Sequence, residues 1–178
     1  MNMRKISVEP KYSTENIKKS SMKAGLLLDD HFTNYKYNFE TEEQLYQMAN
    51  VKGEIDIGKN LSQALYGIVS SKFGNVVIAK EASEIHDVDL YLVPRIKSFK
   101  YSPPYTGFSS HNVSVEMEIE IFAGDGMRQR SFIIKADGSR RAFNQILFET
   151  NYEMAHYAVN EAINNTLNEF TRKLNESY

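Results

Sequence analysis

The stretch His111-Asn-Val-Ser-Val-Glu-Met-Glu-Ile-Glu-Ile-Phe122 alternates without a break. Val113, Val115, Met117, Ile119 and Ile121 share one parity, and Asn112, Ser114, Glu116, Glu118 and Glu120 share the other. A period of two predicts a strand with one dry face and one wet face. Ala123-Gly-Asp-Gly-Met127 follows, and Asp-Gly suits the tight turn of a hairpin, so Arg128 to Ala136 is expected to run back as the partner strand. A dry sheet face must be covered, and the remainder of the chain has to supply the cover.

Two segments have the periodicity for it. Tyr152, Ala155, Val159, Ala162, Ile163, Thr166, Leu167, Phe170 and Leu174 recur at three and four, a seam of roughly six turns at 3.6 residues per turn. Thr150-Asn-Tyr-Glu153 has the spacing of a capping box at its start. From Gly58 to Phe73, Leu61, Ala64, Leu65, Ile68, Val69 and Phe73 line a second helical face, with Asp56 placed to cap it and Gly74 placed to end it.

The remaining apolar runs read as strands. Lys23-Ala-Gly-Leu-Leu-Leu-Asp29 is short and continuous, as in a central strand buried on both faces, and Val76-Val-Ile-Ala79 reads as a short buried strand. Asp87 to Tyr101 alternates, with Val88, Leu90, Leu92 and Ile96 on one parity and Tyr91, Val93, Arg95, Lys97, Phe99 and Tyr101 on the other. Pro94 within it calls for an edge position or a bulge. Asn34 to Phe39 suits a strand or an extended segment over the core, residues 41–50 a short helical turn, and Asp137-Gly-Ser-Arg-Arg141 a second turn. Adjacent antiparallel strands with helices to one side predict an α+β fold. Its sheet is mixed but mainly antiparallel, with a central amphipathic helix and a long C-terminal helix packed on one face.

The 178 residues, 42% hydrophobic and 25% charged, suit one domain, placed at residues 22–178. Residues 1–21 hold Arg4, Lys5, Lys11, Lys18 and Lys19 with isolated apolar residues, and read as a flexible linker; a strand around Ile6 to Val8 is the alternative. A net charge of −2 with dispersed Lys and Arg gives nucleic-acid binding no support. The absence of cysteine excludes thiolate zinc sites, iron–sulfur clusters and Cys nucleophiles. No apolar run approaches the roughly 18 residues of a membrane span.

Candidate chemistry is sparse. Asp29, Asp30 and His31 are consecutive, and consecutive strand residues point apart rather than onto one ion. Glu153 and His156 form one Glu-x-x-His pair, where a di-iron bundle needs two with further glutamates. Gly124-Asp-Gly126 precedes a strand rather than the helix a phosphate loop requires. Glu116, Glu118 and Glu120 lie at about 7 Å intervals on one strand, unlike carboxylates flanking a cleft, and Arg128, Arg130 or Lys135 on the return strand can pair with them. The expectation is no catalytic residue, no metal and no cofactor.

The aromatic segment is the better candidate. Pro103, Pro104, Tyr105 and Phe108 combine a stiff backbone with large side chains outside the alternating strands, and Tyr91, Phe99 and Tyr101 are expected to face outward beside them. Tyr is enriched at contact hot spots because it buries area at low entropic cost. The seven residues are therefore taken as a partner-binding surface; a loop folded back to cap the sheet is the alternative.

Ala24-Gly-Leu-Leu-Leu28, the helix Leu61 to Phe73 leading into Val76-Val-Ile78, Asp87-Val-Asp-Leu-Tyr-Leu-Val-Pro-Arg95 before a hairpin, and Ala158-Val-Asn-Glu-Ala-Ile163 in a closing helix occur in an order that resembles bacterial envelope lipoproteins. The types it is similar to are YajG, the auxiliary lipoproteins and the TolB N-terminal-like domains, over residues 22 to 175. In such proteins a polar linker joins a lipidated Cys to the domain, and residues 1–21 would be that linker. The resemblance implies a periplasmic, outer-membrane-anchored domain that contacts other envelope proteins or itself. Its setting would be a transport, cell-wall, flagellar or secretion apparatus, with no nucleic acid and the membrane reached only through the lipid. A small-molecule or lipid-binding domain, with an apolar pocket between Leu167, Phe170 and the dry face of Val113 to Ile121, is the alternative.

Overall fold

A computed structural model describes residues 4–41, 51–104, 110–141 and 151–178. In chain order the elements are β1 (Arg4–Ser7), β2 (Ala24–Leu27), α1 (Asp30–Thr33), β3 (Lys36–Thr41), β4 (Val51–Asp56), α2 (Gly58–Phe73) and β5 (Val76–Ala79). A 3-10 turn (Ala82–Glu84), β6 (Leu90–Ser102), β7 (Ser110–Ala123), β8 (Arg128–Arg141) and α3 (Asn151–Ser177) complete them. The fold is α+β, as the element pattern predicts.

The main sheet has the order β5-β2-β6-β7-β8. β2 is parallel to both β5 and β6, and the long β6-β7-β8 ladders are antiparallel. The hairpin turn carries Gly126 at φ 88, donating its N–H to the Ala123 carbonyl at 2.9 Å. Both long helices pack on one face, where Leu61, Leu65 and Ile68 of α2 and Val159, Ile163, Leu167 and Phe170 of α3 join Leu26, Leu92, Met117, Ile119 and Ile121 in a single core. A smaller sheet, β1-β4-β3, closes the end of that core with Ile6 and Ile55.

Several local readings are corrected. The short strand β5 is an edge, with Val77 and Ile78 exposed rather than buried. Asp56 does not cap α2: it ends β4, pairing opposite Lys36, and the cap position falls on Ile57 without a side-chain bond. Gly74 does end that helix, at φ 69. Asp137 to Arg141 is no turn but the continuation of β8, paired with Ser110 to Ser114. Gly138 lies there because α3 crosses against it. Asp29 caps α1, accepting from the Phe32 amide at 2.7 Å. Thr41 ends β3, and the rest of the helical turn expected at 41–50, with the Thr150 cap, lies outside the described residues.

The flexible linker is also corrected over residues 4–21. β1 pairs in parallel with β4, Ile6 and Val8 are buried, and the chain from Ser7 to Lys18 is tied along α3 by asparagines. Asn160 accepts from the Glu9 amide at 2.6 Å, Asn164 from the Lys11 amide at 2.7 Å and Asn175 from the Lys18 amide at 3.3 Å. Asn160 and Asn175 also donate to the Ser7 and Asn16 carbonyls. Asparagine is a poor helix former, and on this helix it serves as a ladder for an extended strap.

Candidate functional site

The aromatic segment begins at the end of β6, and a bulge decides which way it faces. Ile96 pairs with Met117 and Ser98 with Glu116, so Lys97 is an extra residue in the ladder. An extra residue inverts the parity beyond it. Phe99 and Tyr101 consequently lie opposite Val115 and Val113 on the dry face, not outward. Pro94 sits three positions before Lys97 and two past Leu92, where pairing with β2 ends. The proline thus gives up a donor where no neighbour on that side needs it.

Phe99 and Tyr101 bind the two sheets together. The Phe99 ring meets Tyr37 at 5.1 Å and the Tyr101 ring meets Phe39 at 4.9 Å, edge-on, both partners coming from β3. The Tyr101 hydroxyl lies 2.8 Å from His111 Nδ1 in a buried contact. Burial pushes the Tyr101 phenol well above the ordinary tyrosine range. Tyr91 precedes the bulge and does point to the other face, but it is 8% exposed, stacked on Phe122 at 5.0 Å under Ile85 and Val88. All three expected outward residues are therefore buried. Pro103 is exposed and Pro104 half-buried at the mouth of the segment, while Tyr105 and Phe108 lie outside the described residues.

The wet face of the hairpin is a lattice of ion pairs. Glu116 meets Lys135 at 3.2 Å, Glu118 meets Lys97 at 3.2 Å, and Glu120 meets Arg95 at 3.0 Å and Arg128 at 3.3 Å. Arg95 and Lys97 of β6 are partners that the hairpin sequence alone does not show. Arg130, offered as a third partner on the return strand, points to the opposite face and donates to the Ser177 hydroxyl at 2.9 Å. Among the described residues no group of three or more His, Asp or Glu side chains is placed to hold a metal ion.

A polar groove of about 410 Å³ lies between the strap, α3 and the end of β8, lined by Glu9, Lys11, Arg140, His156, Tyr157 and Asn164 among others. Two of its asparagines, Asn160 and Asn164, belong to the ladder, and its Glu161 accepts from the Ser139 amide at 2.7 Å. The groove was not legible in sequence, because its walls come from both ends of the chain. Where an apolar pocket was the alternative, Leu167 and Phe170 meet Val113, Val115, Met117, Ile119 and Ile121 with at most 3% exposure on any of them, a filled interface. No helix among the described residues is long and apolar enough to cross a membrane.

No protein-family model matches the sequence, and no curated protein matches it. Solved structures do. A Xanthomonas campestris protein of the DUF330 family superposes over 99% of this chain and 96% of its own, with a TM-score of 0.62 at 13% identity. A minor lipoprotein from Acinetobacter baumannii covers 90% of this chain and 95% of its own, with a TM-score of 0.50 at 10% identity. At such identities the likeness is one of fold, and the chain has the fold of these two bacterial proteins along nearly its whole length.

Proposed function

We propose that the chain is a non-catalytic domain of the bacterial envelope. It acts by protein–protein contact in a periplasmic or outer-membrane assembly, held there by a lipid on a residue ahead of the domain. The observation that carries the reading is where the polar side chains are spent. Glu116, Glu118 and Glu120 are tied to Arg95, Lys97, Arg128 and Lys135, and Asn160, Asn164 and Asn175 to the strap. These groups hold the molecule together rather than converge on a reacting atom. The fold shared with a minor lipoprotein supports the compartment by analogy.

The contact surface begins at Pro103 and Pro104 and continues into Tyr105 and Phe108. Phe99 and Tyr101, buried in the strand that leads into Pro103, fix where it starts, whereas Tyr91 lies at the far end of that strand on the other face and takes no part. Replacing Tyr105 and Phe108 by Ser should leave the melting temperature within a few degrees of the parent and abolish site-specific cross-linking to a partner from positions 103 and 104. Loss of folding would assign the loop to the core instead. Intact-mass analysis of the native membrane-fraction protein checks the anchor; an unlipidated cytosolic product would overturn the compartment.

A further inference from the structure

β8 is the last strand of the main sheet, and α3 treats its free edge in two ways. Ser139 donates its N–H to Glu161, and the Asp137 carbonyl accepts from the Asn165 side-chain amide at 2.8 Å. The backbone groups of odd-numbered residues in this stretch therefore point away from β7. With no register shift between Ser131 and Ser139, the same holds for Ser131, Ile133 and Lys135. Among the described residues no hydrogen bond reaches these outward N–H and C=O groups.

The difference has a cause in α3. At 100° per residue, Glu161, Asn165, Glu169, Arg172 and Glu176 form one stripe along the helix. Its first two members reach down and cap the edge. The next three turn on one another, Arg172 pairing with Glu169 at 2.6 Å and with Glu176, and so leave the strand below them bare. The bare stretch carries Ile133 with 47% exposure at its middle. Its cations are already committed, Lys135 to Glu116 and Arg128 to Glu118 and Glu120, so the edge makes no demand for an acidic partner.

We infer that this edge pairs with the same edge of a second copy, β8 against β8 in antiparallel sense about a two-fold axis at Ile133. The register is self-complementary. Ile133 faces Ile133 and exchanges both backbone hydrogen bonds, Ile134 faces Phe132, Lys135 faces Ser131, and Gln129 faces Asp137, with no like charges directly opposite. The two five-stranded sheets join into one of ten strands.

The pairing is tested by sedimentation velocity of the whole chain from micromolar to about 1 mM, the range a small interface of this kind requires. A reversible dimer is expected. Ile133→Pro removes an edge donor without touching the β7 ladder, and Ile133→Lys sets like charges on the axis; each should raise the dissociation constant at least about tenfold with an unchanged circular dichroism spectrum. Because the chain has no cysteine, Ile133→Cys gives an unambiguous probe, and two residues opposite each other in a hydrogen-bonded pair lie about 5.5 Å apart, within disulfide reach. Oxidation should yield a covalent dimer. A monomer at about 1 mM that also fails to cross-link would overturn the inference, as would a dimer that both variants leave unchanged. Cross-linking of Ile133→Cys to Val77→Cys in a mixture, and not to itself, would also overturn it, since that result means head-to-tail pairing of β8 with β5.

Discussion

Gly138 of β8 faces the carbonyl of Ala158 in α3 so closely that a Cβ at this position would overlap that oxygen and stand 2.5 Å from the Ala162 amide nitrogen. Both neighbours are helix backbone, and neither can turn aside. Gly138→Ala must therefore push α3 away from the sheet along a contact that includes Ala158, Ala162 and Ala136, all buried. The expected cost is about 2–4 kcal/mol, read as a lower midpoint in chemical denaturation, with Gly138→Val worse. A loss below about 0.5 kcal/mol would mean that the helix does not sit this close.

Gly138 also marks where reading the chain by local pattern reaches its limit. Asp137-Gly-Ser suits a turn, yet the pairing of Asp137 with Ser114 and of Ser139 with Asn112 carries the strand straight through. The glycine is needed for a helix some twenty residues away. The strap has the same character: its isolated Ile6 and Val8 look too few to bury, and the asparagines that retain it are on the last helix. By contrast β7, β8 and the seams of α2 and α3 are periodic over enough residues for neighbours along the chain to determine them. At the aromatic segment, residue types were legible and their directions were not, because the partner strand sets the ladder.

The Tyr101 hydroxyl and His111 Nδ1 give a prediction about alkaline stability. The phenol is pushed upward by burial, so the folded state resists ionisation that the unfolded chain undergoes near pH 10. Its contribution is fully present below that value and is lost as pH rises toward the folded-state value. Stability should fall above about pH 10 by up to about 1.4 kcal/mol per pH unit for this group. Tyr101→Phe should flatten that limb while costing about 1–2 kcal/mol at neutral pH for the lost buried hydrogen bond. Tyr35 and Tyr178 are raised too, so part of the limb remains.

Lys72 is an expensive residue. Its side chain has no exposed surface, and its ammonium finds no hydrogen-bond partner among the described residues. Desolvation first, and Lys18 second, hold its pKa below the ordinary lysine value. The unfolded chain therefore binds the proton more tightly, and stability gained through this group rises with pH toward the ordinary value. Lys72→Met keeps the length of the side chain and removes the charge. It should stabilise the protein by about 1–3 kcal/mol near neutral pH, measured by thermal and denaturant unfolding.

The asparagine ladder predicts a local opening rather than a global one. Each bond is exposed or partly so, and each is worth about 0.5–1.5 kcal/mol. Replacing Asn160, Asn164 and Asn175 together by Ala should speed amide exchange at Glu9, Lys11 and Lys18 by at least about tenfold while the β7 and β8 amides keep their protection. Equal loss at Met117 and Ile134 would show that the strap belongs to the cooperative core.

The bulge at Lys97 supports a pair of opposed outcomes. Without Lys97, Ile96 opposite Met117 would be followed directly by Ser98 opposite Glu116, in register, and the faces of Phe99 and Tyr101 would be unchanged. Deleting the residue removes an exposed ion pair to Glu118 and the local bend, a loss of about 1–2 kcal/mol. The Tyr101 phenol should still titrate late in the deletion protein. Inserting one Ala after Lys97 requires the ladder to absorb a second extra residue or to turn Phe99 and Tyr101 into water. That protein should lose the late-titrating tyrosine and the contacts to Tyr37 and Phe39, and with them several kcal/mol, about 3–5 for two displaced aromatics. If the deletion unfolds the chain and the insertion does not, the parity argument for these two rings is wrong, and the strand is held by its bend instead.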